Sequence, residues 1–149
     1  SWLDEGIFNT PMATYSTNDV GYLYNHETGN DDDGSPMDNV FIESGDIDID
    51  DGEKFSFIRK IIPDVKFFGA NSNSGQINFV LKTRDYPGDT LSTKSTDALT
   101  STTQKKDMRA RARQAVIRFE SDDDDTDANN DVGWRLGATR LDIRNDGRR

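Results

Sequence analysis

Apolar residues in this 149-residue chain recur with a period of two, in short runs separated by clusters of Gly, Pro, Asn and Asp. That pattern confines the chain to β structure, because successive side chains of a strand point to opposite faces. Val20, Tyr22 and Tyr24 alternate with Gly21, Leu23 and Asn25 ahead of the turn-forming stretch ETGNDDDGSP (27–36). Val40 and Ile42, then Ile47 and Ile49, predict a further strand pair joined near Ser44-Gly45. KFSFIRKII (54–62) stops at Pro63, which cannot donate to a ladder. QINFVLKTRDY (76–86) places Ile77, Phe79 and Leu81 on one face and closes at Tyr86-Pro87-Gly88-Asp89. Residues 90–108 are dominated by Thr and Ser, with only Leu91, Ala98 and Leu99 as anchors, and read as an extended, partly mobile connection. RARARQAVIRFES (109–121) and VGWRLGATRLDIRN (132–145) flank an acidic tip and read as a closing hairpin. Ala and Arg also suit a helix, but Val116, Ile117 and Phe119 favour a strand.

The expectation is an all-β fold of antiparallel strands, in a sandwich or propeller-like arrangement. Three regions divide it: acidic strands over 1–89, the Thr/Ser-rich connection over 90–108, and an Arg-rich hairpin over 109–149 packing on the same domain. The chain opens at Ser1-Trp2 without an initiator Met, and Trp2, Ile7 and Phe8 would be costly to expose at a free terminus. A segment completing a larger β protein is therefore expected.

Charge divides the chain as sharply as hydropathy does. Residues 1–53 hold fourteen acidic side chains and no Lys or Arg, whereas 54–149 hold eighteen basic against fourteen acidic ones. The formal net charge of −10 thus conceals a polarised molecule of the kind that docks. Such an acidic chain repels nucleic acid at long range, so any meeting with DNA would be non-specific guidance rather than grip. No apolar run is long enough to span a bilayer, and no membrane insertion is expected. The absence of cysteine excludes a disulfide framework and thiolate chemistry.

The acidic clusters raise a calcium reading that the spacing does not sustain. DIDIDDG (46–52) has Asp46, Asp48 and Asp50 at the first, third and fifth positions of an EF-hand loop. However, Asp51 stands where the sharp turn needs Gly, and Phe57 where the bidentate Glu belongs. A strand with one wet acidic face accounts for the segment, and solvated loops account for Asp31–Asp33 and Asp122–Asp125. The single histidine, His26, has no second His or Cys to build a zinc site or a triad with, and is read as a structural hydrogen-bonding residue. No catalytic residue, metal ligand or cofactor site is assigned, and no enzymatic activity is expected. The arginines are more specific. Arg109, Arg111 and Arg113 share one face of an extended segment, and Arg135, Arg140 and Arg144 fall on or near its partner. Such a ladder contacts either a neighbouring subunit's carboxylates or DNA phosphate, and salt bridges between strands and between subunits are the favoured use.

Taken in order, YNHETG, IESGDIDIDDG, FIRKIIPDV, GQINFVLKTRDYPG, RARARQAVIRFES and GWRLGATRLDIRNDGRR resemble the C-terminal region of the tail tubular, or nozzle, virion proteins of short-tailed bacteriophages. The likeness runs from about Val20 to Arg149, with the closing segment its most specific part; it departs at Ala112, where the family pattern has Gly. The resemblance implies a non-enzymatic component of the virion tail, a homo-oligomer forming a hexameric ring with other tail proteins (adaptor and fibre) as neighbours. Such a ring encloses the channel through which genomic DNA leaves the capsid. A β-sandwich binding module is the alternative, with Trp2, Tyr22, Tyr24 or Trp134 stacking on a sugar and an acidic loop holding calcium.

Overall fold

The computed structural model of the chain describes residues 2–3, 9–32, 34–37, 39–48, 53–122 and 131–147. Among these every regular element is a strand and every pairing is antiparallel, as the period-two pattern requires. The chain divides into two compact units, Ser1–Asn30 and Asp31–Arg149.

In the first unit, β1 (Trp2–Leu3), β2 (Met12–Thr17) and β3 (Val20–Asn25) form a three-stranded sheet in that order. Thr17 and Val20 pair directly, leaving a two-residue turn at Asn18-Asp19 with φ of 50° and 64°. Left-handed turns of this kind follow the natural twist of a hairpin, and Asn and Asp are the non-glycine residues that tolerate them best.

The second unit opens with a small hairpin of β4 (Asp31–Asp32) and β5 (Ser35–Pro36). β6 (Phe41–Glu43) and β7 (Ile47–Asp48) follow, then β8 (Ser56–Ile62), β9 (Val65–Phe68), β10 (Gln76–Arg84) and β11 (Ser92–Thr100). The last four strands are β12 (Lys106–Ala112), β13 (Gln114–Ser121), β14 (Gly133–Leu136) and β15 (Arg140–Asn145). β10 lies between β11 and β13, and the far edge of β13 carries both β6 and β7. A second sheet runs β12-β8-β15, and β9 pairs with β14. Packed together, these sheets bury Ile58 and Ile61 from β8, Met108 and Ala110 from β12, and Ile77, Phe79 and Leu81 from β10. Leu99, Ala115 and Phe119 complete the cluster, with Trp134, Leu136 and Leu141 packed against it. The arrangement is a sandwich-like all-β fold. Ile77, Phe79 and Leu81 face one core as their spacing predicts, and the Phe79 and Phe119 rings meet edge-tilted at 5.2 Å.

Three expectations are corrected. The pair anticipated around Ser44-Gly45 is instead one edge strand broken by a bulge, since Glu43 pairs with Arg118 and Ile47 with Ala115. Three residues therefore oppose two, and Ser44 holds the irregularity: its N–H donates to Ile117 O (2.9 Å) and its Oγ accepts from Ile117 N (3.1 Å). The Thr/Ser-rich connection contains a nine-residue strand, β11, laddered along β10 from Gln76↔Thr100 to Thr83↔Ser92. An edge strand with mostly wet side chains needs β-compatible residues rather than apolar ones, and Thr supplies them. The closing hairpin does not exist: β12 and β13 lie in different sheets, and β14 and β15 pair with β9 and β8. The shift is visible in burial, which alternates through Met108, Ala110 and Ala112 and then runs without alternation through Gln114, Ala115 and Val116. Ala112 is fully buried at that junction, so the chain changes sheet there without a glycine. Residues 49–52 and 123–130, and hence most of the EF-hand-like loop and the acidic tip, lie outside the described residues.

Candidate functional site

β12 buries one side of itself and exposes the other. Arg109 and Arg111 therefore stand outward between the buried Met108, Ala110 and Ala112. Cross-strand register extends that outer face over the whole sheet: Arg111 and Arg144 both lie opposite Phe57, and Asp107 and Asp142 both lie opposite Lys60. Arg140 continues the row opposite Ile62. A groove of about 750 Å³ opens on this face, lined by Phe57, Arg59, Asp107, Met108 and Arg109. The pairing of β12 with β8 slips between Asp107 and Ala110, and that of β15 with β8 slips between Asp142 and Ile143. Arg59 sits at both irregularities, and these bulges open the space beside it.

The six arginines singled out from sequence thus separate into groups. Arg109, Arg111, Arg140 and Arg144 share the outer face. Arg113 follows β12 in the link to β13 and is half-buried, with its guanidinium 4.3 Å from the Phe55 ring centroid and 4.7 Å from that of Tyr86. Its Nη1 donates to Asp85 O at 3.4 Å, while Nε is buried without a hydrogen-bond partner among the described residues. Arg135 belongs to β14, opposite Lys66 of β9. Arg111 is engaged at home, donating from Nε to Asp146 with its guanidinium 3.9 Å over Phe55. Arg59, Arg109, Arg140 and Arg144 have no ion-pair partner among the described residues. Arg59 was absent from the sequence expectation, although Phe57 and Arg59 are spaced two apart on a strand and so were legible as neighbours on one face.

A second charged network, also missed, covers the outer side of the β10–β13 pair. Lys82 Nζ reaches Glu43 at 2.7 Å and Arg118 reaches the same carboxylate at 3.5 Å. Arg84 pairs with Asp46, and Gln114 donates to Asp48 at 2.6 Å. The hydrogen bond from Lys82, more than the Lys82 and Arg118 charges, holds the Glu43 carboxyl below the ordinary carboxylate range, against the opposing pull of desolvation. Arg118 is correspondingly raised, chiefly by its bond to Glu120, and stacks 3.7 Å over Phe41. Glu43 of β6 and Asp46, just ahead of β7, are thereby paired with cations within the chain, and Val80 and Val116 on the same side of β10 and β13 are buried.

His26 makes no side-chain hydrogen bond to a described residue; its ring packs on Trp2 at 4.9 Å while its N–H donates to Pro11 O at 2.7 Å. Among the described residues no three His, Asp or Glu side chains are grouped to hold a metal. No helix among them is long and apolar enough to cross a membrane. The closing GWRLGATR segment is occupied with packing. Gly133 lies against the Phe68 ring, Trp134 donates to Ser121 Oγ at 2.8 Å, and Gly137 N donates to Asp64 O at 2.7 Å. Comparison with protein families gives no matching family model, and comparison with curated proteins gives no match.

Proposed function

We propose that this chain is a structural component of a short-tailed bacteriophage tail, a nozzle subunit that forms part of a ring conducting DNA during genome ejection. The observation that carries the reading is the amount of large apolar surface left open on β1–β3. Trp2 is 57% exposed, Tyr15 60% and Leu23 63%, with Leu3, Val20 and Tyr22 also exposed. Register places Trp2, Tyr15, Val20, Tyr22 and Tyr24 on one face and Leu3, Met12 and Leu23 on the other. A thin sheet with apolar side chains on both faces is the kind of element that gains stability from neighbouring chains. The resemblance of the sequence to nozzle proteins supplies the identity of the assembly, and the packing role of GWRLGATR accounts for its distinctive residues in structural rather than catalytic terms.

The aromatic row Trp2, Tyr15, Tyr22 and Tyr24 also favours a second reading, a carbohydrate-binding module acting as a monomer. Native mass spectrometry with and without calcium, on the longest polypeptide containing this segment, separates the two. A ring of about six copies, unchanged by calcium, is the expected result. A monomer stabilised by calcium would overturn the nozzle reading.

A further inference from the structure

We infer that the groove on the outer face of β12-β8-β15 is the receiving half of a head-to-tail contact between copies of this chain. Its occupant is the acidic segment 19–32 of the next copy. The receiving face brings Arg59, Arg109 and Arg144, none engaged by a described carboxylate, beside Phe57, with Arg140 farther along β15 opposite Ile62. Among the described residues, Asp142 is 3.8 Å from Lys60, Asp146 is taken by Arg111, and Asp107 is the one acid that lines the groove.

The offered half is equally unmatched. Asp19, Glu27, Asp31 and Asp32 make no ion pair with a described residue, and residues 1–53 contain no cation. Glu43 and Asp46 are already bound to Lys82, Arg118 and Arg84, so among the described residues unpaired charge of opposite sign remains on the acids N-terminal to β6 and on the arginines of the groove. A second copy carries the same net charge of −10, so the contact rests on local complementarity between its acidic segment and the groove and not on net charge. The two halves are different surfaces, so each bound copy leaves one of each open, and the contact propagates until a ring closes. The inference deepens the ring reading and rests on it only for closure.

Two variants test it, each checked for an unchanged melting temperature. Arg59→Glu/Arg109→Glu reverses the groove. Asp19→Asn/Glu27→Gln/Asp31→Asn/Asp32→Asn neutralises the segment while keeping the side-chain acceptor that Asp31 offers to Gly34 N. By sedimentation velocity at low salt the wild type is expected to assemble and each variant alone to associate roughly tenfold or more weakly. Near 1 M salt, where the screening length falls to about 3 Å, the wild type should also come apart. The decisive arm mixes the two variants: each retains one working half, so they should form a 1:1 dimer that grows no further. A groove variant that still builds the full ring overturns this contact and leaves the nozzle reading standing. A wild type that stays monomeric at every salt concentration overturns both. Binding of a short DNA duplex that is lost with Arg59 and Arg109, without self-association, would reassign the groove to phosphate.

Discussion

A Cβ added at Gly133 would enter the Phe68 ring, although the backbone there needs no left-handed conformation. The constraint is therefore space alone, and Gly133→Ala should lower stability by about 1–3 kcal/mol through overpacking, read from the urea midpoint. Glu43 makes a different kind of prediction. Its folded-state pKa is depressed, so its contribution is fully present above the unfolded-state value and is lost as pH falls through the folded-state one. Glu43→Gln should cost under about 1 kcal/mol near neutrality, and the gap in melting temperature from the wild type should close as the solution is acidified into and below the carboxylate range. A gap that widened on acidification would contradict the assignment. Neither the Glu43–Lys82 pair nor the Arg84–Asp46 pair was legible beforehand, because partners 39 and 38 residues apart meet only when β6 and β7 dock on β13.

β3, β8 and β10 lie where Val20–Tyr24, KFSFIRKII and QINFVLKTR put them, and the alternation of β3 and β10 also gave their faces. β11 was not anticipated, since its Thr and Ser side chains give no hydrophobic period, and what makes it a strand is the β10 backbone beside it. Amide hydrogen exchange should show protection at alternate positions across 92–100, the N–H groups turned to β10 exchanging slowly and those on the open edge fast. Uniformly fast exchange would restore the mobile connection. β9 was likewise overlooked, and its partner β14 was assigned to a hairpin with the wrong strand. Pairing choice between distant segments leaves little trace in local pattern, whereas the phase break in burial at Ala112–Gln114 marks only that a sheet change occurs.

Polarity of charge along the chain survives folding only in part. Glu43 of β6 and Asp46 of the following bulge meet the cations of β10 and β13, which converts some of the apparent docking charge into internal pairing. Among the described residues, what is left without internal pairing or cover is the acids ahead of β6, the arginines around Arg59, and the open faces of β1–β3. Because Tyr15 and Tyr22 are well exposed, Tyr15→Ser/Tyr22→Ser should leave the melting temperature of the dissociated chain nearly unchanged, within the range of about 0.5 kcal/mol usual for surface changes. The same variant should reduce the mass of the native assembly, as measured by light scattering. A full-mass assembly from that variant would show that this face is not a contact.

Period-two hydropathy and turn chemistry were enough to establish an all-β chain and the face that β10 turns to the core, because these depend on residues adjacent in sequence, whereas the left-handed turn at Asn18-Asp19 was not read. Which strands pair, which arginines lack an ion-pair partner among the described residues, and that Arg59 joins Arg109 while Arg113 lies by Phe55 and Tyr86 were decided by the tertiary structure. Those outcomes depend on segments tens of residues apart competing for the same ladder and the same carboxylates, and the folded arrangement selects among them.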